Sequence, residues 1–347
     1  MLGGLIDCLG EGRARGAWPA LLTLALALVF TPLSVPAQET APGQLQTAAQ
    51  DDGFFIAPKI KRYLHSHTSY QFGDPDNKAI NPLSRLEFPL NSWWGGLTMS
   101  WRKPGYALNL EAMTNLSRQT DAGKFKDSDW LEPGRLMVYD EQNCRMERSF
   151  TLDFNADFSL AEPLALPRGL DIRPVVGWRW QRFTLVAHDG YQDALGTDGQ
   201  WKTQFIFVGD SIWFRQDYVQ GYAGVKILAD LPAAWPRGPG GQRTQAFLQG
   251  DWGPVAGQNK DRHLLRGDRV TEESTKGDAW HLGLGLKVPV SDLGAISLSC
   301  DYLRIRTTGD HFMASSEDGP YVEEAWSEGV KVWSDQIAFV LAWEIPL

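Results

Sequence analysis

Cysteine, basic clusters and long apolar runs are what this 347-residue chain has least of. Of its three cysteines, Cys8 lies in an N-terminal leader, so no disulfide framework can be drawn; Cys144 and Cys300 pair only if the fold brings them together. Lysine and arginine number 33 against 42 acidic residues, for a formal net charge of −9, with no basic run anywhere. Nucleic-acid binding is excluded on that ground, because neutralising phosphates requires a basic face. Beyond the leader there is no stretch of about 18 apolar residues, so no spanning helix is expected. Gly238-Pro239-Gly240-Gly241 lacks the strand-loop-helix setting of a phosphate loop and is expected to be a turn.

What the chain does contain begins with an export signal. Arg13 and Arg15 precede an apolar run over 20–30, and Val35-Pro36-Ala37 fits a cleavage site for small residues. The expected organisation is a signal peptide over 1–37, a flexible segment over 38–55 and one domain over 56–347.

That domain alternates. Phe150, Leu152, Phe154, Ala156, Phe158 and Leu160 are separated by polar residues, and Ile337, Phe339, Leu341, Trp343, Ile345 and Leu347 share one face at the C-terminus. Alternation of this kind is the signature of a strand with two unlike faces. A soluble sandwich would have the same pattern. Several segments, however, run about 12 to 20 residues, against a usual five or six in soluble sheets. Together with 15 tryptophans and an export signal, this predicts an all-β fold, a ten-stranded antiparallel transmembrane β-barrel of the outer-membrane type. The ten segments are 56–72, 83–101, 105–118, 147–160, 169–188, 211–228, 242–254, 278–290, 294–307 and 332–347. Trp93, Trp94, Trp178 and Trp180 are expected to face lipid or its interface. Glu87, Glu111, Asp153, Asp157, Arg179 and Asp301 are expected to point inward as a polar plug, which argues against a general porin.

With the chain entering from the periplasmic side, turns such as Lys103-Pro104-Gly105 and Ser291-Asp292-Leu293 are short, and long loops over 119–146 and 255–277 emerge at the extracellular end. These loops carry the two signatures of chemical interest, Asp127-Ser128-Asp129-Trp130 and Asp261-Arg262-His263. Asp261 can orient His263 and stabilise its imidazolium, which makes the imidazole a competent base. Asp127 and Asp129, held close together, cannot both ionise easily, so one pKa rises. Water between a carboxylate and the imidazole could attack a carbonyl without a serine or cysteine nucleophile. His65-Ser66-His67 could be taken for metal ligands, but a third ligand is lacking nearby, and a lumen or rim pair is the expectation.

These residues resemble the omptin family of outer-membrane proteases, which carry Asp-x-Asp-Trp in one extracellular loop and Asp-x-His in another. The similarity extends to Leu83-Ser84-Arg85-Leu86-Glu87-Phe88, Tyr139-Asp140-Glu141 and Phe214-Arg215-Gln216. It implies a surface aspartic-type endopeptidase in the outer membrane, monomeric, with no metal or organic cofactor, acting on peptides or proteins and requiring lipopolysaccharide. In it, Asp127 and His263 would flank the water, Asp261 would orient His263, and Asp129 would complete the carboxylate couple. Asp140, Glu141 and Asn259 would meet substrate. Two departures bear on specificity: Asn259 stands where the family has an acid, and the first strand offers the uncharged stretch His67-Thr68-Ser69-Tyr70. A strong preference for dibasic sites is therefore not expected. The alternatives are a catalytically silent barrel of this fold acting as an adhesin or ligand-binding protein, and a small porin.

Overall fold

The computed structural model describes residues 52–347 apart from 239–240, 267–268, 292 and 317–320. The expected signal peptide, most of the 38–55 segment, and the centres of the glycine-rich and Ser291-Asp292-Leu293 turns lie outside the described residues.

Among the described residues there is no α-helix, and fourteen antiparallel strands carry the fold. In chain order these are β1 (Gly53–Phe72), β2 (Ser84–Pro89), β3 (Trp93–Lys103), β4 (Tyr106–Asn115), β5 (Gln119–Asp129), β6 (Val138–Met146) and β7 (Phe150–Phe158). They continue with β8 (Leu170–Leu195), β9 (Trp201–Asp230), β10 (Gln245–His263), β11 (Val270–Ser291), β12 (Gly294–Ser315), β13 (Val322–Trp326) and β14 (Lys331–Pro346). Pairing runs from β1 through β3, β4, β7, β8, β9, β10, β11, β12 and β14 and returns to β1, a path through ten strands of uneven length.

The sequence segment 83–101 is not one strand. A bulge in β1 between Leu64 and His67 faces the break between β2 and β3. Asn91 and Leu90 fill the gap, with Ser66 N donating to Asn91 Oδ1 at 3.0 Å and Leu90 N to Ser66 O at 2.8 Å. The bulge, where His65 takes a positive φ of 49°, also breaks the alternation that would have put His65 and His67 on one face. His65 is exposed, and His67 lies 3.6 Å from Asp335. Below the breaks, β3, β4 and β7 bridge β1 to β8; above them, β2, β5 and β6 bridge the same two strands. The stretch 119–146, expected as a loop, is therefore largely two strands that extend the wall. Apolar alternation misses them because at this height the outer face meets water and the inner face carries acids.

An outward apolar band girdles the lower part, with Phe54, Trp93, Leu97, Leu110, Phe154, Trp178, Trp252, Trp280, Leu298, Phe339 and Trp343 all exposed. On β10 the outward residues turn polar above Trp252, through Gln258, Lys260 and Arg262. Trp94 departs from the expected lipid-facing set: it is fully buried, edge-on to Tyr63 and Phe183, because it follows the outward Trp93 by one residue.

The interior is layered. Inside the band, Arg179 meets Asp153 at 2.9 Å, Tyr222 donates to Asp153 at 2.7 Å, and His281 pairs with Asp251 at 2.7 Å. Glu111 and Asp157 join this plug through Lys61 and Arg173. Glu87 does not: it lies on the opposite face of β2 from Leu86 and Phe88, which are the inward residues. Above the plug, buried polar side chains such as Gln181, Gln216 and Gln336 give way on one side to an aromatic cluster. Phe88 stacks on Phe214 with centroids 4.1 Å apart and lies 4.7 Å from Phe125, all three fully buried. This aromatic layer is the floor of the region that holds the signatures. Phe88→Ala is expected to cost about 3–5 kcal/mol, as large apolar cavities usually do, measurable by denaturant unfolding in detergent. Cys144 and Cys300 are both free thiols.

Candidate active site

Asp261 and His263 are the last inward residues of β10, not loop residues. The i,i+2 spacing puts them on one face, with Asn259 one rung below. β10 lies between β9 and β11, with Asp261 opposite Phe214 and Thr271 and His263 opposite Ile212. Asp127 is likewise strand-borne, on β5, directly opposite Leu86 on β2 and Asp140 on β6. That register sets two carboxylates side by side. Asp129 follows on the same face at the end of β5.

The two signatures meet. Asp127 and His263 together line two small cavities, of about 50 Å³ and about 10 Å³. The larger also touches Tyr70, Ser84, Asp129, Arg269 and Thr271; the smaller touches Asp140, Gln142 and Ser211; Arg266 borders both. The larger has room for a water, which needs about 10–15 Å³ of such space and polar partners. His263 Nε2 lies 3.6 Å from Asp261 Oδ1, beyond hydrogen-bond length. Contacts of this kind commonly tighten once substrate is bound. The other carboxylate oxygen of Asp261 accepts from the Tyr70 hydroxyl, and Tyr70 stacks on Phe214 at 5.8 Å. Tyr70 thus comes from the uncharged first-strand stretch to hold Asp261 in place.

Burial above an aromatic floor sets the electrostatics. Asp127 is raised well above the carboxylate range by burial, then by the charges of Asp129 and Asp140. Burial also raises Asp129, and it pushes Asp140 up to about 7. Asp261 is pushed up to about 6 by burial and by the nearby carboxyl of Glu273, against the hydrogen bond from Tyr70. His263 falls well below its usual value because burial and the charges of Arg269 and Arg266 disfavour imidazolium. A neutral imidazole therefore faces a set of carboxyls whose protonated forms burial favours.

Raised carboxyl pKa values have a sign in stability. Asp140 binds its proton more tightly folded than unfolded, so its contribution is full below the unfolded pKa of 3.8 and is lost as pH rises through about 7. Asp140→Asn is expected to leave stability unchanged at pH about 3 and to raise it at pH about 9, as read by urea titration at both.

The expected substrate residues divide. Asp140 lines the smaller cavity, whereas Glu141 lies on the other face of β6, where Tyr139 donates to it at 3.2 Å. Strand parity separates the two neighbours and puts Glu141 on the face of β6 away from Asp140. Asn259 is buried, accepting from Gln216 at 3.0 Å and lying opposite Glu273 on β11. Glu273 is an acid that no motif singled out. Its carboxyl is bound to His311 Nδ1 at 2.7 Å, and burial pushes it up to about 8, while His311 is pushed down to about 4. The pair is neutral together, and His311 packs on Phe72 at 4.1 Å. Gln142 carried a signal in the sequence, being two residues from Asp140; Tyr70, Glu273 and His311 had none. Among the described residues no cluster of His, Cys, Asp and Glu is arranged to hold a metal.

The fold is that of the outer-membrane β-barrels. Among solved structures the chain is similar to the outer membrane protease OmpT from Escherichia coli, with a TM-score of 0.68 at 13% identity over 85% of this chain and 97% of that one. The translocator domain of the autotransporter NalP from Neisseria meningitidis aligns over 93% of this chain and 95% of its own, at 8% identity and a TM-score of 0.31. The outer membrane protein AlkL aligns over 90% and 98%, at 10% and 0.29. No family model and no curated protein matches the sequence. The likeness to OmpT is one of an omptin-like fold.

Proposed function

We propose that this protein is an outer-membrane endopeptidase of the omptin kind: a ten-stranded barrel whose extracellular end hydrolyses peptide bonds. The observation that carries the proposal is the convergence of Asp127 and His263 on the same two cavities from strands some 130 residues apart in sequence. Water held between them loses a proton to His263 as its oxygen attacks the scissile carbonyl. Asp261, positioned by Tyr70, steadies the imidazolium that forms; Asp129 and Asp140 complete the proton-holding carboxyl group beside Asp127. Peptide or protein substrates and an outer-membrane lipid, with lipopolysaccharide as the candidate, are the proposed partners, and the protein acts as a monomer. A silent adhesin has less support, since a surface adhesin has no use for a set of acids buried over an aromatic floor. The test is a peptide-library digest with refolded protein and lipopolysaccharide beside His263→Ala. Cuts shared by both proteins, or none from either, would refute the proposal.

On specificity, the β10 side of the cleft offers no ionised acid beyond Asp261, which Tyr70 and His263 already engage: Asn259 is neutral, and burial holds the proton on Glu273 beside His311. Burying an unpaired cation there costs several kcal/mol. Arg or Lys before the cut should therefore gain less than about tenfold in kcat/KM, about 1.4 kcal/mol. Asn259→Asp is expected to widen that preference, and paired peptides differing at this one residue measure it. Asp140 remains able to attract a basic residue on the other side of the bond.

A further inference from the structure

Water activation is only half of amide hydrolysis. As water adds, the carbonyl oxygen becomes an anion, and stabilising it with fixed donors is usually the largest single contribution to rate. Around Asp127 and His263 several lining groups can donate, but the hydroxyls among them are already engaged. The Tyr70 hydroxyl donates to Asp261, and Ser84 Oγ to Asp127 at 3.4 Å.

Two residues differ. Arg266 N donates to His263 O at 3.3 Å, closing a turn that brings the Arg266 side chain back against His263. The half-buried side chain borders both cavities that Asp127 and His263 line, whereas Arg269 borders only the larger. Among the described residues no acid forms an ion pair with Arg266, although its charge is felt by Asp127, Asp140 and His263. Its donors are uncommitted. Gln142 is the second residue: 1% exposed, lining the smaller cavity, with Oε1 accepting from the Ser211 hydroxyl and Nε2 buried without a partner. A register shift in β6 at Gln142/Asn143 sets its direction. The facing residue is Gly190, where a Cβ would fall 2.6 Å from the Gln142 Cα. A buried amide N–H with no acceptor is costly unless a ligand supplies one.

We propose that Arg266 and Gln142 form the electrophilic half of the site and receive the carbonyl oxygen of the scissile bond. This rests on the peptide-hydrolysis proposal above and adds the charge-stabilising step to it. The water oxygen bonds to the carbonyl carbon while one water proton passes to His263. The carbonyl π pair moves onto oxygen, between the Arg266 guanidinium and Gln142 Nε2. The oxyanion then collapses, the C–N bond breaks, and the imidazolium returns its proton to the leaving amine. The products are a carboxylic acid and an amine, and no other reactant is needed.

The experiment uses the refolded full chain and a fluorogenic peptide taken from the library digest, comparing wild type with Arg266→Gln, Arg266→Lys, Gln142→Leu and His263→Ala. Gel mobility before and after heating reports folding of each. Arg266→Gln is expected to lower kcat by about 100-fold or more, with KM changed by less than about threefold; Gln142→Leu should lower kcat by about tenfold. Arg266→Lys, which keeps the charge without the fork, should recover part of the loss, and it carries the test if the glutamine variant misfolds. Unchanged kcat with raised KM for acidic peptides would make Arg266 a reader of substrate carboxylates and overturn the inference. A rise in kcat would make Arg266 a plug of the cleft and overturn it equally. Wild-type cleavage that His263→Ala abolishes, with full kcat in the Arg266 and Gln142 variants, sinks this inference alone. Absence of wild-type cleavage sinks the hydrolysis proposal and this one with it.

Discussion

Replacing His263 by alanine is expected to lower kcat by about 10⁴-fold, to the level left by binding and electrostatics alone. The size follows from the division of labour in the site. Asp127, Asp129 and Asp140 are all raised by burial, which favours their protonated forms. His263, pulled down by burial and two arginines, is neutral in the resting site and takes a proton only as the Asp261 carboxylate steadies the imidazolium that forms. Removing it leaves the cavity water without a base. His263 occupies the last inward rung of β10, with its backbone N donating to Arg269 O at 3.0 Å and Leu264 N to Ser211 O at 2.7 Å, bonds that alanine keeps. The alanine protein should therefore fold, and single-turnover peptide cleavage with a folded-protein control measures the effect. Retention of more than about one hundredth of the rate would remove His263 from the mechanism.

Asp261→Asn should cost nearly as much, about three to four orders of magnitude in kcat, because an amide neither selects the imidazole tautomer nor stabilises the imidazolium. A pH profile separates this role from a structural one. Asp261 orients His263 as an anion, and its carboxyl is raised to about 6 by burial and Glu273. Below that value Asp261 is protonated and activity is lost; above it activity rises, while His263 with its lowered pKa is neutral throughout and adds no limb there. The acid limb of wild-type kcat/KM is thus expected near pH about 6 and should vanish from the residual activity of Asp261→Asn. An unchanged limb in that variant would assign it to another carboxyl of the cluster.

Much of this is legible in the chain, element by element. Alternation through 150–160 and 331–346 is unambiguous because each strand there separates lipid from a packed interior. Both strand faces are then chemically different, and sequence records the difference. The rule fails where the two faces converge. On β5, Lys124, Lys126 and Ser128 lie on the face opposite to Asp127, which meets a cleft of acids, so a strand looks like a loop. The upper part of β10 fails in the same way, with Gln258, Lys260 and Arg262 outside and Asn259 and Asp261 inside. The single segment 83–101 hides a break because the bulge that faces it lies some 20 residues earlier in the chain. Trp94 and Glu141 each sit one unit of strand parity away from the face that composition suggests for them.

The sequence by itself determined the class of wall, the residues of the two signatures and the parity within each pair, since i,i+2 on a strand is a local matter. Tertiary structure alone decided that Asp127 and His263 share cavities, since register between strands depends on pairings made across the whole sheet. It also decided the aromatic layer of Phe88, Phe125 and Phe214, drawn from β2, β5 and β9, where sequence predicted only a polar plug. That layer excludes water beneath the carboxyls and moves their pKa values, a property of packed neighbours that no linear spacing encodes. Arg266 and Gln142 belong to the same category. One is placed by a turn that closes on His263, the other by a bulge against Gly190, and in both cases the backbone geometry of a neighbour sets the direction of the side chain.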